Sequence, residues 1–139
     1  MGRVFFNTRE HLDTSSLTDT TTYVMLESDS GKTFMVSGGA QTVTLLPAAD
    51  LVAGWHCRFI TTASPSGDKV LGAGSAIIHG ATANTDASGG GASSDGTAKS
   101  SVTIEAASQA GNYLDIVCDG SAYYARGVQG QNAAYSFQA

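Results

Sequence analysis

The sequence predicts an all-β fold: a single antiparallel β-sandwich or barrel, jelly-roll-like, with about eight strands. Three observations lead there. Apolar residues recur at every second position in one short segment after another, the period of a half-buried strand. Seventeen glycines against two prolines, with abundant Thr, Ser and Val, suit short strands joined by tight turns. The 3.6-residue helical period is sustained nowhere; at most one helical turn fits between Ala48 and Ala53.

A chain of 139 residues makes one domain, and such a domain buries roughly 65–70% of its unfolded surface. With 42% hydrophobic and 14% charged residues it is too apolar for a disordered chain. Residues 1–20 show no sustained period and form an N-terminal arm, the strands occupy 21–127, and 128–139 form a C-terminal tail. Phe5 and Phe6, flanked by Arg3, Arg9 and Glu10, have two readings. Either the terminus packs its aromatics on its own domain, or it is an arm that docks on a neighbouring subunit.

The strands begin with Thr22–Leu26, turn at Ser28-Asp29-Ser30-Gly31, and resume at Thr33–Val36. After Ser37-Gly38-Gly39 comes the pair the chain is organised around. Gln41–Leu45 alternates and stops before Pro47, which has no N–H for a ladder. Trp55, Cys57 and Phe59 then alternate with His56 and Arg58. Pro65-Ser66-Gly67-Asp68 turns the chain into Lys69–Leu71, and Ala76–His79 follows. From Ala81 to Ser101 nearly every residue is Ala, Gly, Ser or Thr, the composition of a flexible linker, so a protruding mobile loop is expected. Val102–Glu105 alternates again. Tyr113–Cys118 should bury Leu114, Ile116 and Cys118. Asp119-Gly120 signals a type I′ hairpin into Ala122–Arg126. Tyr135 and Phe137 alternate near the end and could extend the chain's own sheet or a neighbour's.

The net charge of −5, with seven scattered basic residues, excludes the basic face that a nucleic-acid reader needs. No apolar run is long enough to cross a bilayer and no secretory signal opens the chain, so a soluble product of the cytoplasm is expected. Cys57 and Cys118 fall at apolar strand positions. A bridge would close a long loop for about 4 kcal/mol, but a cytoplasmic product is expected to keep them reduced.

No motif carries catalysis, a cofactor or a metal. Gly31-Lys32-Thr33 ends like a phosphate loop, but Leu26 stands where its first glycine belongs and no helix follows. His11, His56 and His79 lack metal-ligand spacing, and Asp19, Glu27 and Asp29 lack the calcium-loop pattern. Asp29 is better explained as a turn former. Gly72-Ala73-Gly74-Ser75-Ala76 misses the closing glycine of a nucleophile elbow. Tyr123 and Tyr124 are candidate surface aromatics for a sugar or partner; ordinary sheet packing would instead place one in the core and one in a cross-strand pair.

Three segments together resemble a β-module of tailed-bacteriophage virion proteins. They are Thr42–Pro47 (TVTLLP), Gly54–Ile60 (GWHCRFI) and Asn112–Gly127 (NYLDIVCDGSAYYARG), less than half the chain. Tyr123-Tyr124 stands where that module commonly has Trp-Tyr. The module occurs in small head decoration (cement) proteins and in tail spikes or fibres. A chain with room for one module is most similar to the first. The resemblance implies a non-enzymatic virion protein on the capsid surface, a homo-oligomer, trimeric by preference, bridging subunits of the major capsid protein. Phe5, Phe6, Arg9, Tyr135 and Phe137, on extended ends, are then the candidate partner contacts. The alternative it leaves is a tail or head fibre module that binds a host receptor or glycan.

Overall fold

The computed structural model describes residues 22–87 and 89–139. The expected arm over 1–20, with Phe5, Phe6 and Arg9, lies outside them. The strands are β1 (Tyr23–Val24), β2 (Thr33–Val36), β3 (Gln41–Thr44), β4 (His56–Thr61), β5 (Lys69–Gly72), β6 (Ile78–Asn84), β7 (Ser101–Ile104), β8 (Tyr113–Cys118), β9 (Tyr123–Gln129) and β10 (Tyr135–Gln138). Single 3₁₀ turns occupy Glu27–Asp29 and Ala48–Asp50, the second where one helical turn was expected.

Two five-stranded sheets share one core. Sheet I runs β1-β3-β5-β7-β10 and sheet II runs β2-β4-β8-β9-β6. The all-β expectation holds, with three corrections. There are ten strands instead of eight, the sheets do not close into a barrel, and neither is purely antiparallel. β1 with β3, β3 with β5, β2 with β4, and β6 with β9 pair in parallel. The cause is the path of the chain. From β1 to β6 successive strands alternate between the sheets, so each return to a sheet runs in the direction of the previous visit. The crossover that a parallel pair requires is thus a strand of the opposite sheet in place of a helix. The Ser/Gly and Pro/Gly clusters, read as turns in the sequence, carry the chain from one sheet to the other.

The inward set follows the alternation in the sequence: Trp55, Cys57 and Phe59 from β4 and its approach, Leu114, Ile116 and Cys118 from β8. Phe34 stacks on Phe59 at 5.3 Å, and Tyr23 meets Phe34 edge-on at 5.7 Å across the two sheets. Such pairs each add about 0.5–1.5 kcal/mol beyond the area they bury. Both cysteines are buried free thiols. Lys69, wholly buried, directs its ammonium to the Gly39 carbonyl. Only Tyr23–Val24 of the expected first strand forms, because at Glu27 the chain enters the 3₁₀ turn. Asp29, also wholly buried, locks that turn. It accepts from the Leu26 N–H (2.8 Å), the Tyr23 hydroxyl (3.0 Å) and the Lys32 ammonium (2.6 Å).

The glycine-rich stretch is partly strand. β6 continues to Asn84, and residues 92–99 return along its outer edge. Thr82 donates to Ala92 (2.8 Å), Ser94 to Gly80 (2.9 Å), and Lys99 and Ile78 exchange two bonds of 2.8 Å. Side chains have no room there: a Cβ on Gly91 would stand 1.7 Å from the Thr82 carbonyl oxygen. The tail is ordered as well. β9 runs to Gln129, and β10 pairs antiparallel with β7, so the alternating Tyr135 and Phe137 extend the chain's own sheet.

Candidate functional site

Register places the outward side chains of sheet II in rows. His56, Val117, Tyr124 and His79 stand side by side across β4, β8, β9 and β6. The next row is Arg58, Asp115, Arg126 and Ala81. In it Arg58 takes both oxygens of Asp115, at 2.5 and 2.7 Å, and lies 4.8 Å from the centre of the Tyr113 ring. A bidentate pair with a ring beneath it is a rigid use of arginine. Asp115 is thereby occupied on the side away from Arg126. Among the described residues no hydrogen bond or ion pair reaches the Arg126 guanidinium.

Tyr124 is 43% exposed and held on both sides. Its hydroxyl donates to Asp119 at 2.9 Å, and its ring stacks on His79 with centroids 5.9 Å apart and planes 22° from parallel. The N–H groups of Ala122 and Ser121, with the Tyr124 hydroxyl, hold the Asp119 carboxyl below its ordinary value; the same bond raises the Tyr124 phenol. Beyond the ring a groove of about 540 Å³ runs over β6 and β9. Its floor is made of glycine and alanine (Gly80, Ala81, Ala83, Gly127) and its sides carry His79, Tyr124 and Arg126.

A second surface lies at the opposite lateral edge. Val24 is 53%, Leu26 54% and Val52 71% exposed, the most open of the large apolar side chains described. Trp55 ties their segments together: its indole N–H is shared between the Leu26 and Glu27 carbonyls (3.3 and 3.2 Å), and its backbone N–H bonds Val52 at 3.0 Å.

The remaining sequence candidates are dispersed. Tyr123 is no surface aromatic: it is wholly buried, edge-on to Trp55 at 6.2 Å, with its hydroxyl on the Leu46 carbonyl at 2.5 Å. Tyr135 is 3% exposed, and Phe137 packs partly buried beside Gly80, so neither rides on an extended end. Burial pushes both the Tyr123 and Tyr135 phenols well above their usual value. The Tyr pair therefore divides into one core ring and one cross-strand ring. Lys32 of Gly31-Lys32-Thr33 is engaged by Asp29. Among the described residues no three of His, Cys, Asp or Glu gather as a metal site would require, and no helix is long and apolar enough to cross a membrane. Sequence reasoning weighed His79 only as a metal ligand and did not single out Arg126; that His79 joins Tyr124 depends on β6 lying beside β9.

The class these features define is a two-sheet β-protein with an apolar edge at one side and an aromatic, cationic groove at the other. No protein-family model, no curated protein and no solved structure matches the chain.

Proposed function

We propose that this protein is a non-enzymatic decoration (cement) protein of a tailed-phage head, a homotrimer that binds the outer capsid surface and bridges neighbouring major capsid protein subunits. The observation that carries the adhesive role is the Val24, Leu26 and Val52 edge. Three large apolar side chains left open on two segments that Trp55 ties together suit a protein-contact surface. The assignment to a phage head rests on the resemblance of Thr42–Pro47, Gly54–Ile60 and Asn112–Gly127. The last two of these segments supply β4, β8 and β9, adjacent strands of one sheet. Phe5, Phe6 and Arg9 remain candidate contacts from the N-terminal segment.

Covering one such apolar side chain contributes on the order of 2 kcal/mol before ordering costs. Repetition over a shell converts such weak contacts into retention through avidity. The test is sedimentation of purified protein with undecorated heads. Wild type should pellet at a copy number set by the coat lattice. The double variant Leu26→Ser with Val52→Ser should keep its denaturation midpoint and lose most of its occupancy. Equal decoration by both proteins, or only a handful of copies per particle, overturns the proposal.

A fibre module that binds a host glycan is the second reading, favoured by one observation: the immobilised, open ring of Tyr124.

A further inference from the structure

We infer that the groove over β6 and β9 is a binding site for a carboxylated sugar, such as one uronic-acid unit of an acidic polysaccharide. The site goes beyond the decoration role and lies on a different surface. β6 is an edge of sheet II and faces β10 through Gly80 and Phe137, whereas Val24 and Leu26 belong to the β1 side, which faces β2 through Tyr23 and Phe34. A protein bound by its apolar edge would leave this groove open.

Three features converge on that ligand. Tyr124 presents a flat ring whose orientation is already fixed by Asp119 and His79, so stacking a sugar's C–H face on it loses little side-chain entropy. Arg126 is the next outward residue on the same strand, and its cross-strand carboxylate, Asp115, is already held bidentately by Arg58. An arginine with no ion pair among the described residues has its fork of donors open to one carboxylate. Ala81 stands beside Arg126 in register and Ala83 beside Val128, so β6 brings only methyl groups to the groove past His79. An acidic peptide could also reach Arg126. Its apolar anchors, however, need a pocket that closes around them, and the groove offers a shallow floor of backbone and methyl groups beside an exposed ring. A saccharide face fits that better.

The experiment is titration calorimetry of the full chain with four probes: oligogalacturonate, hyaluronan oligosaccharide, sialyllactose, and maltotriose as the uncharged control. At least one carboxylated probe should bind, and maltotriose at least tenfold more weakly. Arg126→Gln should weaken the carboxylated probe tenfold or more and erase the preference over maltotriose. Tyr124→Ala should weaken both. Both side chains point to solvent, and unchanged denaturation midpoints will show that the variants fold. Binding to none of the probes, or equal binding by wild type and Arg126→Gln, overturns the site. So does a poly-glutamate peptide that binds more tightly than the sugars, which would make the groove an acidic-protein contact. Decoration by Arg126→Gln should equal wild type, so failure of the sugar site and failure of the capsid role give different results.

Discussion

The two halves of this chain build sheet by different means. The first, β1 to β5, winds back and forth between the sheets, and every pairing within it is parallel. The second, β7 to β10, pairs antiparallel, with β8 and β9 joined by a hairpin and β10 closing on β7. A hairpin holds its register by its own turn. A coil of parallel strands has no such device, since neighbours in a sheet are separated by a whole strand elsewhere. The winding half therefore relies on polar locks in its passages. Asp29 collects Tyr23, Leu26 and Lys32, and Lys69 reaches back to Gly39. Parallel winding depends on side chains where antiparallel pairing depends on backbone.

The largest effect should come from the core both halves share. Phe34→Ala in β2 removes a ring that touches both Tyr23 and Phe59, and should cost about 3–5 kcal/mol. Ile116→Ala in β8 should cost about 2–5 kcal/mol. Urea titration followed by fluorescence and by circular dichroism should show one coincident transition for each variant. Two separated transitions would mean the halves fold independently.

Next comes the lock itself. Asp29→Ala strands the Leu26 N–H and the Tyr23 hydroxyl and leaves Lys32 unmatched, so it should lose about 2–4 kcal/mol. Hydrogen exchange should accelerate first in β1 and β2 and last in β8 and β9. Uniform acceleration would erase the distinction between the halves.

The smallest effect is alkaline. Burial holds the Tyr123 and Tyr135 phenols above their ordinary 10.0 and the Cys57 thiol above 9.0. Folded values above unfolded ones mean that this stability is complete below the unfolded pKa. It is lost as pH rises through the range where only the unfolded chain ionises. Urea midpoints should be level near neutrality and fall from about pH 9 upward, steepening near 10 as the phenols of the unfolded chain ionise. Cys57→Ser, in the winding half, should remove the part of the fall that begins near pH 9, and Tyr135→Phe, in the antiparallel half, only the part that steepens near 10.

Local pattern made much of this legible. Trp55, Cys57 and Phe59, and Leu114, Ile116 and Cys118, alternate because each packs on a core from one face of a strand, and all are buried. Asp119-Gly120 does mark a hairpin, but not the two-residue turn. Gly120 alone has positive φ (89°), and the Asp119 carboxylate instead accepts from the Ser121 and Ala122 N–H groups, widening the loop. Strand direction was not legible, because Ser37-Gly38-Gly39 looks the same whether the chain doubles back or crosses to the other sheet. The alternation of Tyr135 and Phe137 was legible, but whether it would join its own sheet was not, because the place of Tyr135 is set by its distant partner Ile104. In the groove, Tyr124 was visible as half of a pair. Arg126 and His79 became part of a site only through the parallel alignment of β6 with β9, which no nearby residue encodes.

The folded-back run of residues 92–99 has a consequence wherever many copies of the chain are packed close together. An uncovered β6 would offer the outward N–H and C=O groups of alternate residues along its seven-residue length to any passing copy, the geometry from which fibrous growth begins. Serine, alanine and glycine can lie flat against that border without adding an apolar surface of their own. The plainest stretch of the chain is thus a selvedge, finishing the fabric so that it does not extend into the next molecule.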